Sequence, residues 1–305
     1  MSVLVLGHKN PDTDSIVSAI SYAHVLKGRG IDAKAVAQGT PAPESEFVLQ
    51  KFGLTAPEEV NSVKDKEIYL VDYSDLAQAP EDIKDAKILG IVDHHKLGDL
   101  TTDTPLEAWL QPYGCSNTII KLIADYYKVE IPANIAGAML CAILSDTVLF
   151  KSPTCTPFDK KAAEELAKIA GVSDLNALGM EMFKAKSNLN ASPRDLIFRD
   201  FKDFDMGGKK IGIGQLELIS LDMISATLKQ ELQDELNKVK GEGRHSALLV
   251  LTDIMKEGSE LLLCSDDENT ILTALKGQKS DKIWLDGVMS RKKQVVPPLQ
   301  GAFKA

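Results

Sequence analysis

Three short runs in the first hundred residues, Val3–Leu6, Ile68–Val71 and Ile88–Val92, are apolar without interruption. A strand with one face in water alternates polar and apolar side chains, whereas a strand covered on both faces does not. Uninterrupted runs therefore point to central strands of a parallel sheet flanked by helices. Ser15–Lys27 supplies a helical spacing after the first run, with Ile16, Ile20, Ala23 and Val25-Leu26 apolar and Gly28 and Gly30 as its stop. Ala33–Val36 reads as a further strand. Ser45–Phe52, Ser116–Tyr127, Pro132–Ser145, Phe158–Ala170 and Leu175–Lys186 read as further helices. Alternating strands and helices predict an α/β domain built from right-handed crossovers.

Length points to about two domains, and Ser187–Pro193, small and polar with a closing proline, marks the expected linker. The expected division is 1–186, a linker at 187–193, and 194–305. After the linker the pattern changes to a hairpin, Phe201–Met206 and Lys209–Leu218 about Gly207-Gly208. A helix at Leu221–Lys240 follows, then strands at Ala247–Thr252 and Glu260–Cys264, a helix at Asn269–Leu275 and a strand at Lys282–Leu285. This makes a second, smaller α/β domain.

Lys and Arg number 35 against 44 Asp and Glu, a formal net charge of −9. Such a chain repels nucleic acid and anionic membranes, so an anionic ligand must be drawn in by bound cations or a local basic cluster. No run approaches the roughly 18 apolar residues of a membrane span, and the first residues lack the features of a signal peptide. Cys115, Cys141, Cys155 and Cys264 are scattered, with no Cys-x-x-Cys pair. They read as reduced, mostly buried thiols of a cytoplasmic protein.

Residues able to hold a metal follow all three apolar runs. The first leads into Gly7-His8-Lys9-Asn10-Pro11-Asp12-Thr13-Asp14-Ser15, the second into Asp72, and the third into Asp93-His94-His95. Ligands of an open parallel sheet bind beyond the carboxyl ends of its strands, which places these residues on one rim. Asp146, after the apolar stretch Ile135–Leu144, adds a fourth contributor. Asp12 and Asp14 are read as a loop pair held by Pro11, with Ser15 capping the next helix. Imidazole and carboxylate without thiolate suit Mn²⁺, Co²⁺ or Mg²⁺, with zinc also possible. Six such ligands exceed the need of one catalytic ion and suit two ions about 3.5–4 Å apart sharing a carboxylate and a water. His24, inside a helix, and His245, outside any metal-type spacing, are set aside. Gly212-Ile213-Gly214 lies in a strand pattern and opens no helix, so it is not a dinucleotide fingerprint.

Together with Ser290-Arg291-Lys292-Lys293-Gln294 near the C-terminus, these motifs resemble the DHH phosphoesterase superfamily, and within it the family II inorganic pyrophosphatases. The resemblance runs along essentially the whole chain, in the short form without CBS domains. It implies a DHH domain followed by a DHHA2-like domain, with the active site in the cleft between them. It assigns His8, Asp12 and Asp146 to one metal and Asp14 and His94 to the other, with Asp72 bridging. The implied cofactors are two Mn²⁺ or Co²⁺ per subunit, with further Mg²⁺ or Mn²⁺ accompanying the substrate. His95, Lys202, Arg291 and Lys292 match substrate-binding positions, and the family's usual assembly is a homodimer through the N-terminal domain.

The chemistry so implied is hydrolysis of pyrophosphate to two orthophosphates by a metal-bridging hydroxide, with Asp14 accepting a proton or orienting the nucleophile. Four aspartates balance two divalent ions. The about three or four negative charges of pyrophosphate then need the cationic residues or Mg²⁺ in a low-dielectric site. Three rivals compete with this reading. An exopolyphosphatase shares the linkage. A hydrolase of oligonucleotides or cyclic dinucleotides shares the first domain, but carries a Gly-Gly-Gly-His-type loop that Gly241–His245 matches only loosely. A non-catalytic metal-dependent sensor would lack part of the ligand set.

Overall fold

A computed structural model describes residues 2–278 and 282–304; Met1 and Ala305, the outer ends of the two expected domains, lie outside that range. The chain divides into two units. One comprises residues up to 150 together with 154–185, and the other 151–153 together with 186 onward.

The first unit is the expected parallel α/β layer. Its strands are β1 (Val3–Lys9), β2 (Ala33–Gln38), β3 (Glu58–Glu59), β4 (Glu67–Val71), β5 (Lys87–Asp93) and β6 (Glu107–Leu110). They pair in the order β3-β2-β1-β4-β5-β6, every pair parallel. The order reverses between β1 and β4, and at such a switch point the loops leave the sheet in opposite directions and open a crevice at the strand ends. Helices α1 (Thr13–Gly28), α2 (Pro43–Lys51), α3 (Ser116–Tyr127), α4 (Ala133–Asp146), α5 (Pro157–Ala170) and α6 (Leu175–Lys186) complete the unit. Helix α4 is apolar nearly all round and buried from Ile135 to Ser145.

The second unit begins with α7 (Pro193–Phe198), capped by Ser192, so the polar stretch after residue 186 runs straight into a short helix. Strands β7 (Phe201–Met206) and β8 (Lys209–Leu218) form the expected hairpin. The helix expected from Leu221 begins later. A single 3-10 turn covers Leu221–Met223, and α8 (Ala226–Gly241) starts only where the Ser225 side chain accepts from Leu228 N. Strands β9 (Ser246–Asp253) and β10 (Gly258–Ser265), helix α9 (Glu268–Leu275), strand β11 (Ile283–Asp286) and helix α10 (Val296–Phe303) follow. The sheet order is β11-β10-β9-β8-β7, with only β8 and β9 parallel.

Among the described residues no helix is long and apolar enough to cross a membrane. All four cysteines are free thiols, Cys115 and Cys141 buried and the other two partly so.

Candidate metal centre

At the end of β1 the backbone passes so close to α1 that a Cβ on Gly7 would lie 2.0 Å from Ser15 Oγ. Glycine is what lets His8 sit at the helix entrance. The chain then turns through Asn10, at φ 53°, into α1. Ser15 is not the cap expected of it. Asp12 is, its Oδ1 accepting from Ser15 N at 2.9 Å. A carboxylate satisfies an orphan helix N–H and meets the positive end of the helix at once. Asp14 therefore lies in the first helical turn rather than in a loop. The other oxygen of Asp12 stands 3.5 Å from His8 Nε2.

Asp72 follows β4 in the left-handed region, at φ 67°, with its backbone N donating to Val92 O at 2.8 Å. Its carboxylate lies between two imidazoles: Oδ2 is 3.3 Å from His8 Nε2, and Oδ1 is 3.3 Å from His94 Nε2. Each imidazole is oriented from behind. His8 Nδ1 donates to Lys9 O at 2.7 Å and His94 Nδ1 to Tyr113 O at 3.0 Å. Fixing the proton on Nδ1 turns each Nε2 lone pair toward the carboxylates, as metal-ligating histidines require.

Around His94 Nε2, Asp146 Oδ2 lies at 3.9 Å and Asp14 Oδ2 at 4.0 Å. Ligand-type atoms of His8, Asp12 and Asp72 fall within 4.8 Å of one another, as do those of Asp14, Cys115 and Asp146. These distances put Asp146 with Asp14 and His94, whereas the resemblance assigned it to the ion of His8. After Asp146 the chain adopts positive φ at three successive residues, Val148, Leu149 and Phe150. Val148 is buried, and Leu149 packs where a Cβ on Gly179 would be.

Cys115 belongs to this cluster, although no motif in the sequence pointed to it. Its Sγ donates to Asp14 Oδ1 at 2.9 Å. Burial, then the charges of Asp14 and Asp146, push the thiol well above its ordinary range. It stands here as a neutral donor to Asp14. His95 differs from the other two histidines. Its Nδ1 donates to Asp93 Oδ1 at 2.9 Å, its side chain is 28% exposed, and Nε2 is the ring nitrogen that faces away from Asp93.

The donor set fits divalent cations. Among the described residues the charged partners of Asp14 and Asp72 are imidazoles, with no lysine or arginine ion pair to either. Burial raises the Asp14 carboxyl to about 6, and the neighbouring Asp72 charge adds to it. Burial works on Asp72 in the same direction, but hydrogen bonds from His8 and His94, made when those rings carry a second proton on Nε2 in place of an ion, outweigh it and hold the carboxyl well below the usual range. Buried carboxylates this close together are costly unless positive charge compensates them.

The basic candidates lie in the second unit. Lys202 is half-buried on β7 and Lys292 half-buried in the π-helical turn Arg291–Val295. Arg291 is buried, donating to Asp200 O and Ile213 O and pairing with Asp200 Oδ1 at 2.7 Å. Ser290 and Gln294 shape the turn. Ser290 Oγ accepts from Lys293 N, while Gln294 Oε1 accepts from Met289 N and Ser290 N. Gln215 on β8 anchors it further: Oε1 accepts from Arg291 N at 3.1 Å, and Nε2 donates to Met289 O and Thr252 Oγ1. The two histidines set aside are accounted for locally, His24 by Glu130 O and His245 by Ser246 and the Phe303 ring.

The N-terminal domain of the DHH family matches residues 2–143, and the DHHA2 domain matches residues 180–302. The chain is 49% identical to a "probable manganese-dependent inorganic pyrophosphatase" of Archaeoglobus fulgidus, over 99% of this chain and 98% of that one. It belongs to the manganese-dependent, family II inorganic pyrophosphatases. The manganese-dependent inorganic pyrophosphatase of Methanocaldococcus jannaschii is 45% identical over 98% of both chains. A crystal structure described as a family II inorganic pyrophosphatase of Methanococcus jannaschii superposes with a TM-score of 0.89, at 44% identity and full coverage of both chains. Matches of that length agree with the short form of the family, and the resemblance drawn from the motifs is borne out.

Proposed function

We propose that this chain hydrolyses inorganic pyrophosphate to two orthophosphates at a centre of two divalent ions, manganese or cobalt. The observation that carries the reading is Asp72, whose two oxygens face two oriented imidazoles at equal distances. One ion would be held by His8, Asp12 and Asp72, and the other by Asp14, Asp72, His94 and Asp146. This partition follows the distances around His94 and moves Asp146 from the place the resemblance gave it.

Two such ions, when bound, acidify a shared water and neutralise charge on phosphate oxygens. The remaining work falls to the chain's own groups. His8 and His94 present Nε2 to the ions with each ring already oriented through its Nδ1 donation to a backbone carbonyl. With Nδ1 engaged by Asp93, His95 offers Nε2 to the substrate. Lys202, Arg291 and Lys292 neutralise the phosphates, Arg through a planar fork and Lys as point charges. In the reaction water oxygen attacks one phosphorus, the bridging P–O bond breaks, and the second phosphate leaves with the bridging oxygen. A cytoplasmic location rests on the unpaired thiols. A homodimer through the first unit rests on the resemblance. The net charge of −9 argues against nucleic acid and anionic membranes as partners.

The test is phosphate release by chelator-stripped protein, with Mn²⁺, Co²⁺, Mg²⁺ and Zn²⁺ added back separately. Substrates are pyrophosphate, tripolyphosphate and a dinucleotide. The expected result is recovery by Mn²⁺ or Co²⁺ with pyrophosphate preferred. Faster release from either other substrate would overturn the assignment.

A further inference from the structure

Asp14 is held by more donors than a carboxylate oxygen normally receives. Its Oδ1 accepts from Asn117 Nδ2 at 2.7 Å, Cys115 Sγ at 2.9 Å, Ser18 Oγ at 3.1 Å and Asn117 N at 3.2 Å. Its Oδ2 accepts from Ser116 N at 2.7 Å and otherwise faces His94. Two of these donors, Ser116 N and Asn117 N, are backbone groups in the first turn of α3, whose own cap residue Cys115 makes no side-chain cap bond. Asp14, projecting from the first turn of α1, therefore caps a second helix in trans.

Asn117 is fully buried, and its amide has a defined orientation. Ser21 Oγ donates to its Oδ1 at 2.8 Å, which turns the NH₂ group toward Asp14 Oδ1 and Ser18 Oγ. The reverse orientation would set an amide oxygen against a carboxylate. An oxygen has about two lone-pair directions, so four donors saturate Oδ1 and leave Oδ2 as the atom available on the side of His94 and Asp146.

We infer that Asn117 is a positioning residue of the metal centre: with Ser18 and the start of α3 it occupies Asp14 Oδ1 and presents Oδ2 as the single ligand atom to the ion of His94. The inference rests on the two-ion reading. It makes the affinity of one ion, not both, depend on a residue more than a hundred positions from Asp14 in sequence. Partners that orient a ligand typically contribute about 10–100-fold to metal affinity.

The test uses chelator-stripped full-length protein titrated with Mn²⁺, free ion being followed by its electron paramagnetic resonance signal. Asn117→Ala is expected to weaken one of two ions by about 10–100-fold and leave the other unchanged. Asn117→Asp, which sets a second carboxylate against Asp14, is expected to weaken the same ion further. With manganese saturating, kcat for pyrophosphate falls while KM stays near its unmutated value. Wild-type affinity for both ions in both variants overturns the inference. So does equal weakening of both ions with a lower melting temperature of the stripped protein, the mark of a packing role. If the Asn117 variants do not fold, Ser18→Ala, which removes one Oδ1 donor, decides by the same titration, with a smaller loss at the same ion. An unmutated protein that takes up fewer than two ions breaks the two-ion reading itself, a result visible before any variant is made.

Discussion

The two units solve opposite electrostatic problems. In the first, functional side chains of one sign converge: Asp12, Asp14, Asp72 and Asp146 crowd together around the imidazoles of His8 and His94. The parallel sheet supplies the crowding, because loops after β1, β4 and β5 all leave at the same rim beside the switch point. In the second unit the functional groups are cationic, and neutral side chains shape the turn that carries two of them. Gln215 and Gln294 fix the turn that carries Arg291 and Lys292. Arg291 already has a counter-ion in Asp200. The first arrangement is incomplete without added positive charge, whereas the second is complete in itself. Metal should therefore govern the first unit's chemistry, and substrate affinity should be tuned in the second.

The sharpest way to break that contrast is Asp72→Asn. Removing the shared charge should weaken both manganese ions and lower turnover on the order of 1000-fold, about 4 kcal/mol of barrier. Loss of one ion alone, read by manganese titration, would mean that Asp72 is not shared. A smaller effect is expected from Lys202→Ala. It should raise KM for pyrophosphate about tenfold, in keeping with about 1.5–3 kcal/mol for a hydrogen bond to a charged group, with both ions retained. Steady-state kinetics beside the same titration checks it, and a lost ion would erase the division of labour.

The smallest effect concerns pH and belongs to the second unit alone. Burial works to raise the Asp203 carboxyl, but bonds from Arg244 and Lys210 outweigh it and leave it below the ordinary range. Because the folded value is depressed, the stabilisation is fully present above about pH 4, the value of an unfolded aspartate. It is lost as pH falls through the lower folded value. Asp203→Asn should flatten this part of the acid limb in urea midpoints measured against pH. An unchanged slope would show that the pair contributes nothing.

Much of this was legible because strand ends announce themselves. Each uninterrupted apolar run leads within two residues into a His or Asp, which the parallel sheet carries to one rim and keeps buried there. Edge elements were harder to see. The strand β6 is four residues long with every second side chain exposed, and β3 is only two residues. Pro297 and Pro298 look like helix breakers yet sit in the first turn of α10, where no N–H is needed. Which imidazole nitrogen faces the centre depends on Lys9 O and Tyr113 O, backbone atoms that carry no sequence signature. The donors around Asp14 come from Cys115, Ser116 and Asn117, a small polar run that reads only as an ordinary helix start.

The left-handed turn at Val148, Leu149 and Phe150 has a consequence for the chain's history. Residues with side chains lose roughly 1–2 kcal/mol each in that conformation, so three in succession hold about 3–6 kcal/mol that a glycine-rich segment would release. Packing over Gly179 keeps the turn in place. Breeding this protein for heat resistance alone would reward slackening here, next to Asp146, and the hardier descendants would be the poorer catalysts.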